Sequence, residues 1–91
     1  MTLEKHWILY ILECRDGTLY TGITDNLERR LAAHHAGKGA KYTRGRGPFQ
    51  LRYTEACADH SEALRREIQI KRLTRPQKLA LINNQQENSL R

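Results

Sequence analysis

The sequence predicts an α+β domain: a small three-stranded antiparallel sheet flanked by helices, in the order ββαβαα. Three observations predict it. Residues 6–14, HWILYILEC, are apolar on both alternations, as in a strand covered on two faces. The turn signal Arg15-Asp16-Gly17 separates that run from TLYTGI, residues 18–23, which reads as an antiparallel return strand. Two later segments change to helical periodicity on either side of a further strand-like stretch, QLRYTEAC, residues 50–57.

The hairpin has two admissible registers. A two-residue Asp16-Gly17 loop puts Tyr10 and Tyr20 on opposite faces. A three-residue loop with Gly17 in the left-handed conformation pairs Cys14 with Thr18, Leu12 with Tyr20 and Tyr10 with Gly22, so that both tyrosines share a face and open space lies over the Tyr10 ring. The first helix is expected over residues 26–36, opened by a capping box of Asp25 and Glu28 and closed by Gly37. On a wheel of about 100° per residue, Arg30 and His34 adjoin the stripe of Leu27 and Leu31, while Arg29 and His35 point to solvent.

The following stretch, GKGAKYTRGRGPF at 37–49, reads as a flexible loop that interleaves Lys38, Lys41, Arg44 and Arg46 with Tyr42 and Phe49. Such a loop suits either a solvated surface or a phosphate backbone with a base to stack on. In the third strand, Leu51, Tyr53 and Cys57 are expected on one face. A second helix, capped by Asp59 or Ser61, should reach Leu73, and a short third one, opened by Thr74 and Pro76, should end at Ile82. The 91 residues fit one domain, 1–91, with a core at about 6–82 and a fraying polar tail, NNQQENSLR, at 83–91.

Charge points to the partner class. Sixteen Lys and Arg against ten Asp and Glu give a formal charge of +6, and a pI near 9.8, the footprint of a polyanion binder. Nucleic acid is the leading partner. The apolar run WILYIL is far short of the roughly 20 residues that span a bilayer, so no membrane partner is expected. The start of the chain lacks the pattern of a secretory signal, which predicts a cytoplasmic protein with Cys14 and Cys57 reduced. The four histidines do not combine with the cysteines into a zinc-binding spacing.

The second helix holds an anomaly. If Leu64, Ile68 and Ile70 form its buried stripe, Glu67 falls inside it with Lys71, and Arg65, Arg66, Gln69 and Arg72 take the solvent face. A carboxylate there must be neutral, paired or bound to a cation. An i,i+4 pair with Lys71 is one resolution; a site for Mg²⁺, which prefers one or two carboxylates together with water and phosphate oxygens, is the other.

Taken as an ordered set over residues 6–82, these residues resemble the GIY-YIG nuclease domain, and most closely its small stand-alone bacterial members. Ile8-Leu9-Tyr10 stands at the first tripeptide, without its leading glycine, and Tyr20-Thr21-Gly22 at the second, with threonine in place of isoleucine. Arg30, His34 and Glu67 match the helical arginine, histidine and acid, and Gly39 to Pro48 matches a loop of the form G-A-x-x-T-R-G-x-G-P. The resemblance implies Mg²⁺- or Mn²⁺-dependent hydrolysis of phosphodiester bonds, of DNA rather than RNA, with weak sequence specificity or selectivity for branched or damaged structures.

In that reading Glu67 holds the metal and Arg30 binds the phosphate. Tyr10 is the base or water-positioning group, Tyr20 bonds the phosphate or water, and His34 relays a proton or orients the phosphate. Lys38, Lys41, Tyr42, Arg44 and Arg46 extend the groove. A monomer or weak dimer is expected, with a protein partner able to supply specificity. The competing expectation is a non-catalytic nucleic-acid-binding module that works through such a partner.

Overall fold

The computed structural model describes residues 6–89. Strands β1 (Trp7–Glu13), β2 (Leu19–Thr24) and β3 (Gln50–Cys57) form an antiparallel sheet in the order β2-β1-β3. The helices are α1 (Leu27–His35), between β2 and β3, and α2 (His60–Lys71) and α3 (Arg75–Ser89), which follow β3. This is the predicted α+β order, with one 3₁₀ turn at Lys41–Thr43 added.

The hairpin adopts the three-residue register. Gly17 sits at φ +87°, the Cys14 N–H donates to Thr18 O at 2.8 Å, and Tyr10 pairs with Gly22 and Leu12 with Tyr20. One face of the sheet therefore carries Leu9, Ile11, Thr21 and Ile23, and the other Tyr10, Leu12, Tyr20 and Gly22. The first face meets α2 and α3 in a core of Leu9, Ile11, Tyr53, Cys57, Ala63, Ile70 and Ile82. Each fully buried aliphatic side chain there contributes roughly 1.5–3 kcal/mol. Cys14 and Cys57 are buried free thiols.

Five local expectations are corrected. Asn26, not Asp25, caps α1, accepting from the Arg29 N–H at 3.0 Å. In β3, Ile11 pairs with Tyr53 but Leu12 with Leu51, so Arg52 forms a bulge; the extra residue turns Leu51 to the opposite face, where it is exposed. The buried stripe of α2 is Ala63 and Ile70, while Leu64 and Ile68 are exposed. That rotation draws Arg66 off the solvent face into a 2.6 Å ion pair with Glu55. Finally, α3 runs through 83–89 instead of ending at Ile82; residues 90–91 of the expected tail lie outside the described residues.

The extension of α3 has a tertiary cause. Gln85 bonds both backbone groups of Thr54, accepting from its N–H at 3.3 Å and donating to its carbonyl at 2.6 Å. These bonds satisfy part of the open edge of β3, which would otherwise remain free to pair with another strand.

Among the described residues, two buried side-chain atoms, Thr21 Oγ1 and Arg52 Nε, have no hydrogen-bond partner. The Thr21 hydroxyl makes no hydrogen bond and the residue is 3 % exposed. Desolvating a hydroxyl without compensation is unfavourable. Thr21→Val, which keeps the shape and removes the oxygen, is expected to raise unfolding free energy by about 1 kcal/mol in urea titration.

Candidate active site

The polar face of the sheet positions the site. Tyr10 lies on the central strand and is fully buried, with Gly22 opposite it on β2. An added Cβ at Gly22 would stand 2.6 Å from Tyr10 Oη, 2.7 Å from its Cζ and 3.0 Å from Tyr20 Cε2. The expected open space is thus filled by the two phenol rings themselves, whose centroids lie 6.3 Å apart.

Helix α1 brings the next groups. Its last turn ends in a Schellman arrangement, with Gly37 at φ +76°, Gly37 N–H donating to His34 O at 3.1 Å and Lys38 N–H to Ala33 O at 2.8 Å. His34, 1 % exposed, points into the sheet, where its Nε2 is 2.9 Å from Tyr10 Oη. Four residues earlier on the same face, Arg30 Nε donates to Tyr10 Oη at 3.4 Å. Arg29 and His35 are exposed, as the wheel predicts. Beside Arg30 a cleft of about 440 Å³ opens, bordered also by Trp7, Ile23, Asp25 and Arg29.

Glu67 stands on α2, which packs against β2 and β1. Its carboxylate is 18 % exposed and lies 3.3 Å from Lys71 Nζ, so the predicted i,i+4 pair is present. Burial is the main cause that raises the Tyr10 pKa, and the charge of Glu67 is the last and smallest contributor in the same direction. Among the described residues no cluster of three or more His, Cys, Asp or Glu side chains could hold a metal. Glu67 is a partly buried carboxylate whose one ion-pair partner among the described residues is the exposed Lys71; such a carboxylate fits Mg²⁺, which takes few protein ligands and fills its shell with water and phosphate oxygens.

The basic loop divides. Lys38, Lys41 and Arg44 are exposed, and Tyr42 is 45 % exposed. Arg46 is partly exposed and makes surface contacts within the chain. Its guanidinium bonds Asp16 at 2.7 Å and stacks 4.5 Å over Tyr42, while Tyr42 stacks on Tyr20 at 5.9 Å. The expected flexible loop is tied down, because Arg46 O also accepts from Arg15 N–H at 2.9 Å and Thr43 is buried against His34.

Three residues around His34 escaped the sequence reading. Thr43 Oγ1 is 2.8 Å from His34 Nδ1, a Cβ at Gly39 would stand against the same ring nitrogen, and the Phe49 ring lies 5.9 Å away, edge-on. Gly39 and Thr43 fall within the loop pattern of Gly39 to Pro48 and Phe49 follows it, but nothing in that pattern assigns them to His34.

Electrostatics fix the resting protonation states. Burial raises the Tyr10 pKa, and the hydrogen bond from Arg30 opposes it. Burial, then the Arg30 charge, then His35, lower His34 to about 4, so its imidazole is neutral near pH 7. The unfolded chain takes up a proton at His34 below about pH 6.5, where the folded form does not. This contribution is therefore complete above pH 6.5 and falls away towards pH 4, by up to about 3 kcal/mol. Denaturant titrations at pH 7 and pH 4 are expected to show a smaller acid loss in His34→Gln, by about that amount.

Comparison with known proteins fits this geometry. The chain is 55% identical over 84 residues to the UPF0213 protein OB0043 of Oceanobacillus iheyensis, covering 92% of this chain and 96% of that protein. It is 59% identical over 73 residues to the UPF0213 protein VNG_2274C of Halobacterium salinarum, covering 80% and 95%. Among solved structures, the solution NMR structure of UPF0213 protein BH0048 from Bacillus halodurans matches with a TM-score of 0.57 at 50% identity, over 86% of this chain and 83% of that one. Protein EF2693 from E. faecalis matches with a TM-score of 0.62 at 38% identity, over 93% and 92%. The family model for the GIY-YIG catalytic domain matches residues 6–80, so the chain belongs to that nuclease-type family.

Proposed function

We propose that this protein is a divalent-metal-dependent endonuclease that hydrolyses DNA phosphodiesters with weak sequence preference or selectivity for branched structures. The observation that carries the reading is the contact of Tyr10 Oη with both His34 Nε2, at 2.9 Å, and Arg30 Nε, at 3.4 Å. A buried phenol joined to a neutral imidazole and a guanidinium serves packing poorly and proton transfer at an anionic substrate well.

Arg30 binds the scissile phosphate and stabilises its growing charge. Tyr10 has no exposure here, so binding of substrate must uncover its hydroxyl. The attacking water then gives a proton to Tyr10 Oη as the proton of Tyr10 passes to His34 Nε2. The water oxygen forms the new P–O bond, the ester oxygen leaves and takes a proton from solvent, and His34 hands its proton back to Tyr10 Oη, which releases one to solvent while it is uncovered. Tyr20 contacts the phosphate or the water. Glu67 holds Mg²⁺ or Mn²⁺, which when bound supplies Lewis-acid stabilisation of phosphate and leaving oxygens. Lys38, Lys41, Tyr42 and Arg44 follow the backbone beyond the reacting centre; such contacts position a duplex without reading its sequence, which motivates the weak preference.

The test is incubation with supercoiled plasmid, single-stranded DNA, branched DNA and RNA, in Mg²⁺, Mn²⁺ or EDTA. Cleavage that needs the metal and is lost in Glu67→Gln supports the reading. Tight DNA binding with no product in any metal would replace it with a binding module.

A further inference from the structure

We infer that Thr43 is a positioning residue that holds His34 in its Nδ1–H tautomer, leaving Nε2 as the acceptor for the Tyr10 proton. Thr43 Oγ1 has one hydrogen, and it is donated to the carbonyl of Ala40 at 2.9 Å, a group that can only accept. The same oxygen lies 2.8 Å from His34 Nδ1. With its own hydrogen committed, Thr43 must accept there, so Nδ1 carries the proton. A neutral imidazole then has a bare lone pair at Nε2, and at 2.9 Å that lone pair takes the O–H of Tyr10.

The orientation of the ring follows from the same contacts. Turning it by 180° would exchange Nδ1 and Nε2 for carbons and lose both bonds. The Lys41–Thr43 turn fixes the threonine, since Thr43 N–H also donates to Ala40 O at 3.0 Å, and Gly39 leaves the ring its room. The loop read in the sequence as a basic arm thus also sets the direction of the hydrogen-bond chain Tyr10 to His34 to Thr43 to Ala40. With the opposite tautomer, Nε2–H would donate to Tyr10 and the phenol would have no outlet for its proton.

The catalytic meaning of this device rests on Tyr10 acting as base, whereas the tautomer itself does not. The closing experiment separates them. Long-range ¹H–¹⁵N correlation spectra of the full chain at pH 7, with His34 assigned through His34→Gln, read the tautomer directly. Wild type is expected to show a protonated Nδ1 and an unprotonated Nε2. Thr43→Val should shift His34 towards Nε2–H, and Thr43→Ser should restore the wild-type pattern. In cleavage assays Thr43→Val should lower kcat by about 10- to 100-fold at unchanged KM, with recovery in Thr43→Ser. A protonated Nε2 in wild type, or an unaltered tautomer in a folded Thr43→Val, overturns the inference. The expected spectra in a chain that cuts nothing would leave the inference standing and remove the catalytic reading instead.

Discussion

Arg30→Ala is expected to lower the rate of DNA cleavage by about 10²- to 10³-fold, the loss typical of one preorganised donor to a transition-state oxyanion. Arg29→Ala is expected to cost no more than about tenfold, through weaker attraction of the polyanion. The two side chains are adjacent in sequence and identical in charge, so net charge cannot separate them. Geometry does: Arg30 Nε reaches Tyr10 Oη at 3.4 Å, whereas the Arg29 side chain is exposed and its backbone N–H donates to the Asn26 cap. Initial rates on one labelled substrate at saturating Mg²⁺ make the comparison. Equal losses would show that the helix supplies diffuse positive charge and no directed contact.

Gly22→Ala is the second large effect. The new Cβ would fall 2.6 Å from Tyr10 Oη and 2.7 Å from Cζ, inside any permitted contact. Neither partner yields easily, because Gly22 is paired within the sheet and the phenol is bonded to His34. Relief requires a shift of the strand or of the ring. Overpacking of this kind costs about 1–3 kcal/mol in stability. A displacement of about 1 Å at the hydroxyl is expected to cost about 100-fold in cleavage as well. Thermal unfolding and cleavage measured on the same preparation check both parts. A variant with wild-type rate would mean that the Tyr10 hydroxyl takes no part in the chemistry.

Much of this arrangement was legible in the sequence because it rests on local rules. The doubly apolar run of β1 and the Asp16-Gly17 turn announce the hairpin, and helical spacing alone sorts Arg30 and His34 from Arg29 and His35. The register was open, since both turn lengths obey the same chemistry; the left-handed Gly17 decides it. What failed was decided by tertiary contact. Leu64 and Ile68 looked like a core stripe, yet the tertiary packing of α2 buries Ala63 and Ile70 and leaves those two side chains outside. The end of α3 looked like a polar tail because Gln85 has no apolar signature, although it bonds the edge of β3 from 31 residues away. The shell around His34 was invisible for a related reason: Gly39 and Thr43 act by small size and by one hydroxyl, and neither leaves a pattern in composition or periodicity.

The central claim is that Tyr10, buried between a histidine and an arginine, exchanges a proton with the attacking water. Tyr10→Phe tests it most directly, since it removes a single oxygen from a fully buried ring. The measurement is the rate of Mg²⁺-dependent cleavage of a branched DNA by wild type and Tyr10→Phe, at concentrations that saturate binding in both. The expected result is a rate at least about 100-fold lower in the variant with unchanged DNA affinity; equal rates would contradict the account.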